Sequence, residues 1–331
     1  MSAMDALLER SRSPGTFVER RRFSLARDKA VEKMKEFSLR DPRQYVLEII
    51  QGAVFAKATY IAVDTHRDRL VVGWVGGRPY RQEELENLFD YLFASQSQSE
   101  YRHVVQLAIA LNALLQRKPK VLRVESGNGS SAGTVRLDLD HAGKGSVGMP
   151  ESGLAGTYIM AEFESGWFHR FKGRTVTPEQ ELVETRCRYT PVPILLNGSA
   201  PFGYRATRSF MATKKTVQFD DGSRRGFLGL SRTKDQMVRL VVGGVIITET
   251  QVPELASLPL YGVICDDSLR KTADQSDIVR DEAFRRMLHA VQPRVTEMVR
   301  AQGKKRYQPP ALPELVQAPT ETPDGGPTVE G

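Results

Sequence analysis

Apolar side chains along the first half of this chain fall at helical spacing, then at strand spacing. Leu25, Ala30, Met34 and Phe37, with Ser24 able to cap, predict a helix over 24–37. Asp41-Pro42 reads as the cap and first turn of a second helix over 42–56. Its Tyr45, Val46, Ile49, Ile50, Ala53 and Val54 form an apolar face wide enough to cover a sheet. Tyr60–Val63 and Leu70–Trp74 read as two strands around a polar turn. Gly76-Gly77-Arg78-Pro79 is a turn cluster. Helices are predicted over 81–93 and 102–115, separated by the polar run Ser95–Ser99, which reads as a mobile lid or a plain flexible loop. Strands follow at Val121–Ser126, Thr134–Asp138 and Tyr158–Phe163, with Gly/Ser-rich loops at 127–133 and 141–156. Pro178 opens a helix ending near Arg188. The strand starting at Pro191 holds two prolines, which suits a sheet edge.

The pattern restarts near residue 200. Strand signals lie at Thr216–Phe219, Arg225–Leu230, Met237–Val242, Val245–Thr248 and Leu260–Cys265. A basic amphipathic helix runs from Asp281 to about Ala301. After Gly303 the chain is rich in Pro, Gly, Thr and Glu, a composition that predicts disorder. The reading is therefore a flexible N-terminus over 1–20, an α/β unit over 21–200, a smaller α/β unit over 201–302 and a tail over 303–331. The fold class is α/β, in the form of an α+β sandwich.

Composition narrows the function classes without choosing one. The 331 residues carry 40% hydrophobic and 26% charged positions, ordinary for a globular chain. No apolar run reaches the roughly 20 residues of a membrane helix, and the N-terminus lacks an apolar signal core. The reading is a cytoplasmic protein without a membrane partner. Two cysteines and five scattered histidines show no metal-ligand spacing, so no metal site is expected. The net charge of +7 permits an acidic or nucleic-acid partner. Aromatic residues are not interleaved with the basic ones, which weakens a base-stacking surface.

The helix Tyr45-Val-Leu-Glu-Ile-Ile-Gln-Gly, feeding a strand at Tyr60, carries a resemblance that extends over roughly residues 22–300. In the order of its weak motifs the chain resembles the GHKL superfamily, and within it the N-terminal and middle domains of the ninety-kilodalton heat-shock chaperone family. The resemblance implies a Bergerat-type ATPase sandwich to about residue 200, followed by a shortened ribosomal-S5-like domain. It implies a catalytic role for Glu48, which would orient the attacking water. It places Gly52 where the family has a magnesium-binding asparagine, and glycine offers no oxygen ligand. Gly76 and Gly77 stand at the adenine-site turn, without its aspartate. Gln106, Ala108 and Ala110 stand in the lid-to-helix junction, two alanines replacing glycines that let phosphate approach a helix start. Gly156-Thr157 matches the family's Gly-Thr before a strand. The middle-domain arginine that reaches the γ-phosphate aligns with Gln275; Arg270 and Lys271 lie near but out of register.

With metal ligand, adenine acceptor, phosphate glycines and arginine all replaced, the expectation is a non-hydrolysing pseudo-ATPase that acts by protein binding or scaffolding, with neither ATP nor magnesium as a resident cofactor. Two alternatives are an ATP-binding chaperone-like ATPase with non-standard ligands, and a basic nucleic-acid-associated protein.

Overall fold

A computed structural model describes residues 39–93, 99–140, 143–150, 153–164, 176–203, 213–231, 237–303 and 305–315. The helix predicted over 24–37, most of the Ser95–Ser99 run, the N-terminal 1–20 segment and the tail beyond 315 lie outside the described residues.

Two mixed sheets organise the chain. Seven strands form the first: β1 (Tyr60–Thr65), β2 (Arg69–Val75), β3 (Val121–Asn128), β4 (Thr134–Leu139), β5 (Gly145–Gly148), β6 (Ala155–Glu162) and β7 (Ile194–Leu196), in the order β5-β4-β3-β6-β2-β1-β7. All neighbours are antiparallel except β1 and β7, so the proline-flanked β7 takes the edge. Alternation sets its two faces. Ile61, Val63, Leu70, Val72, Trp74, Leu122, Val124, Ile159 and Ala161 are buried on one. The other carries half-buried or exposed residues, with the directly opposed pairs Arg123–Asp138 and Glu125–Arg136, each at 2.7 Å.

On the buried face lie α1 (Tyr45–Phe55), α2 (Gln82–Glu86) and α3 (Arg102–Gln116), all contributing to one apolar core. Asp41 caps the entry to α1 as its sequence suggests, accepting from the Arg43 N–H at 3.0 Å, although Pro42–Gln44 form a 3-10 turn. The helix predicted over 81–93 is divided. The Asn87 side chain donates to the Glu83 carbonyl at 3.0 Å, and the chain continues as a 3-10 helix over Leu88–Phe93. Strand β5 lies within the stretch read as a loop over 141–156: two of its four residues are glycine, and β4 supplies its pairing.

After α4 (Pro178–Arg186) come β8 (Thr213–Asp220), β9 (Arg224–Ser231), β10 (Met237–Val242), β11 (Val245–Thr250), β12 (Leu260–Asp266) and α5 (Glu282–Arg300). The second sheet has the order β11-β10-β12-β9-β8, parallel only between β10 and β12. Phe284, Met287, Leu288, Val291 and Val295 of α5 are buried in the core beneath it. Phe227, Val241, Ile246, Val263 and Cys265 form a smaller cluster against Tyr189. Both faces of this short sheet are therefore covered.

The two units meet at α1. The β10–β11 turn, Gly243-Gly244, approaches so closely that an added Cβ would lie 2.9 Å from the Phe55 ring at one glycine and 2.8 Å from the Thr190 backbone at the other. Gln51 donates to the Val242 carbonyl at 2.7 Å, and Arg186 of α4 donates to the Ile246 and Ile247 carbonyls at 3.2 and 3.1 Å. Residues 307–313, read in sequence as part of a disordered tail, lie against α5 with Tyr307 and Leu312 half-buried on the core. Composition hid this because the contacts are mostly to backbone carbonyls. No helix among the described residues is long and apolar enough to cross a membrane.

Candidate functional site

Glu48 lies on the face of α1 that turns toward the second unit, and it is only 3% exposed. Gln51, three residues later on the same face, is fully buried, and Gln106 approaches from α3. The fourth member comes from the loop between β12 and α5. Lys271 Nζ donates to Glu48 Oε2 at 2.7 Å, to Gln51 Oε1 at 2.5 Å and to Gln106 Oε1 at 3.0 Å. An ammonium has three donors, and here each has one oxygen. Burial raises the Glu48 carboxyl and lowers the Lys271 ammonium, while their mutual contact opposes both shifts.

A small hairpin presents the lysine. Lys271 bridges Ile278, the Val279 N–H donates to the Arg270 carbonyl at 2.8 Å, and Thr272 pairs with Asp277. Asp274 ties the tip by accepting from Thr272 and Ser276 hydroxyls at 2.6 and 2.7 Å, which holds its carboxyl below the ordinary range. Gln275 sits at the tip with φ of +60°, and its Nε2 donates back to the Thr272 and Ala273 carbonyls. Gln275 Oε1 is buried without a partner among the described residues. Gln275, which the resemblance sets at the cation's place, makes no contact with Glu48 among the described hydrogen bonds. Lys271, four residues earlier, is the side chain that reaches Glu48, while Arg270 is exposed and pairs with Asp281 at 3.4 Å.

The remaining sequence-predicted positions each pack against other parts of the chain. Gly52 lies where α1 crosses α3: an added Cβ would stand 3.4 Å from the His103 carbonyl and 3.6 Å from both Gln106 Cβ and the Tyr80 hydroxyl. Gly76 and Gly77 have φ of +73° and +76° and fold onto the α1–β1 connection, where a Cβ on Gly77 would lie 2.3 Å from the Ala56 carbonyl. Gly156 abuts the Trp74 carbonyl, leaving only 2.2 Å for a Cβ. Thr157 shares a 2.7 Å hydroxyl contact with Ser126, whose oxygen also accepts from the Tyr80 N–H at 2.9 Å. Ala108 and Ala110 are fully buried within an unbroken α3 and open no helix start toward a ligand.

The space between these positions holds side chains. Tyr80 stacks on His103 with ring centroids 5.3 Å apart, meets Trp74 edge-on at 6.3 Å, and donates its hydroxyl to the His103 carbonyl at 3.2 Å. Burial, reinforced by Arg78, pushes His103 down to about 4. The nucleotide and magnesium implied by the resemblance do not fit here. The metal ligand is a glycine at a close helix crossing, and the Tyr80–His103 stack fills the adjoining volume. Among the described residues, no group of three His, Cys, Asp or Glu side chains is arranged to hold a metal ion.

Two cavities flank the cluster. One of about 670 Å³ is lined by Arg102, Gln106, Arg224, Arg270, Lys271 and Arg286, among others. The other, about 560 Å³, includes Arg43, Glu48, Arg186 and Gln275. Sequence reading found Glu48 and Gln106, named Lys271 only as lying out of register, and missed Gln51, Tyr80 and His103. Glu48 and Gln51 share a helix face, a legible signal, whereas Lys271 lies 223 residues from its carboxylate. Neither a scan against protein-family models nor a search of curated protein sequences found a match for this chain.

Proposed function

We propose that this chain is a degenerate GHKL protein with heat-shock-chaperone-like architecture, a Bergerat-type sandwich joined to a ribosomal-S5-like unit, which does not turn over ATP and acts by binding protein. The observation that carries the reading is the buried Lys271–Glu48–Gln51–Gln106 cluster. Glu48 would have to be free to orient water; instead it neutralises an ammonium brought from the second unit. A catalytic base needs reach to its proton, and a carboxylate held in this pair is occupied by the ammonium. The helices layered on one face of the first sheet, followed by a smaller α/β unit, support the fold half of the reading. So do Gly52 and the Tyr80–His103 stack, which replace a metal ligand and a nucleotide volume.

The second reading, an ATP-binding ATPase with non-standard ligands, draws on one observation. Lys271 does supply a cation beside Glu48, and the adjoining cavity adds Arg102, Arg224, Arg270 and Arg286. Phosphate oxygens are stabilised by such groups. A steady-state hydrolysis assay with magnesium separates the two. The pseudo-ATPase reading predicts phosphate release at background from the wild type and from Glu48→Ala alike. Turnover that is lost in Glu48→Ala would establish the second reading.

A further inference from the structure

The cavity of about 560 Å³ lies where the two units meet, a common place for a small-molecule site, and its size suits one. The first unit contributes Arg40, Leu47 and Arg186 to its lining, and the second contributes Val245, Ile247 and Gln275. Its charges are unbalanced. Asp41 is matched by Arg43 at 2.9 Å, and Glu48 by Lys271 at 2.7 Å. The Arg40 side chain is exposed and has no hydrogen bond or ion pair among the described residues. Arg186 is half-buried, and one terminal nitrogen donates to the Ile246 and Ile247 carbonyls. No carboxylate among the described residues answers its charge. Two guanidinium groups thus line a cavity whose carboxylates are already paired.

Gln275 adds an acceptor. It is 4% exposed, and its Nε2 is committed to the Thr272 and Ala273 carbonyls at 3.2 and 3.3 Å, which settles which end of the amide carries the oxygen. Oε1 is left without a donor among the described residues, although a buried acceptor ordinarily has one. The φ of +60° at Gln275 is a conformation that residues with a side chain rarely adopt, so the loop tip sets this amide in place against local strain.

We propose that this cavity binds a small molecule bearing an anionic group, phosphate or carboxylate, together with an N–H or O–H donor. Arg186 and Arg40 hold the anion; the guanidinium of Arg186 has further N–H groups beside the one engaged by the carbonyls. Gln275 Oε1 accepts from the donor, and Leu47, Val245 and Ile247 give apolar walls to the rest of the molecule. The inference goes beyond the proposed function. It requires no chemistry at Glu48, and its failure would leave the hydrolysis prediction standing.

The test is an NMR titration of the full chain with two matched pairs of probes. Hydrogen phosphate carries an O–H that sulfate lacks, and N-benzoylglycine carries an N–H that its ester analogue, O-benzoylglycolate, lacks. One pair should bind saturably, with the donor-bearing member at least tenfold tighter, and which pair does so tells phosphate from carboxylate. Arg40→Gln and Arg186→Gln should each weaken that member about tenfold. In Gln275→Leu the two members should bind alike. Circular dichroism verifies each fold, and the exposed Arg40 can be replaced without disturbing the core. No saturable binding in either pair, equal affinity within both pairs in the wild type, or undiminished binding in both arginine variants overturns the proposal.

Discussion

Lys271 and Glu48 form an ion pair with side chains only 6% and 4% exposed, and such a pair is a poor stabiliser until one half of it is removed. Desolvation of two charges nearly cancels their attraction, whereas an orphaned buried charge costs about 3–5 kcal/mol. Lys271→Ala should therefore lower the unfolding free energy by about that amount, whereas Lys271→Met combined with Glu48→Met should regain most of it. Urea unfolding of the three proteins checks this, and a double variant no more stable than Lys271→Ala would contradict the coupling. His103 gives the pH dependence. Its value falls from 6.5 to about 4 on folding, so between those limits the unfolded chain binds the proton and the folded one does not. Stability then rises with pH by up to about 1.4 kcal/mol per unit across this window and is lost on acidification. In His103→Phe that component should vanish, which unfolding curves at pH 4.5 and 7 would reveal as a smaller difference than in the wild type. At this scale the sequence is half legible. Glu48 and Gln106 stand out as polar residues on apolar helices, but the cation that joins them depends on a loop register that periodicity does not carry.

The elements that build the site are short-range products of the chain, and their contacts are not. Asp41, Thr177 and Asp281 each cap the helix that follows by accepting from its first N–H groups. The apolar periods of α1, α3 and α5 and the edge place of β7 are likewise legible in the amino-acid pattern alone. The break at Asn87 and the strand identity of the glycine-bounded β5 are not, because one depends on a side chain competing for a helical carbonyl and the other on a tertiary partner. The crossing of α1 and α3 at Gly52 makes a sharp test. A methyl group fits at 3.4 Å, and glycine within a helix is less stable than alanine by about 0.5–1 kcal/mol. Gly52→Ala should raise stability by about that amount. Gly52→Asn, which restores the residue type of the resembled family, must push against Tyr80 and Gln106 and should lower stability by about 1–3 kcal/mol. Thermal melts of both variants decide it; a stabilised Gly52→Asn would mean that this crossing holds room for a ligand.

At the scale of the whole molecule, one apolar core runs through both units, and the polar Lys271 cluster sits at their junction. Where a nucleotide would need an open volume between α1, α3 and the β2 turn, this chain has a helix crossing and a stacked aromatic pair. The two units are thus joined by residues of the chain itself. The proposed function accordingly rests on surfaces rather than on chemistry at Glu48. The measurement that tests this account most directly is a calorimetric titration of the purified full chain with ATP and magnesium. The account predicts no saturable heat, with or without Lys271→Met. A saturable isotherm that depends on magnesium and is abolished by Glu48→Ala would contradict it, and would return Glu48 and Lys271 to the roles of an ATP site.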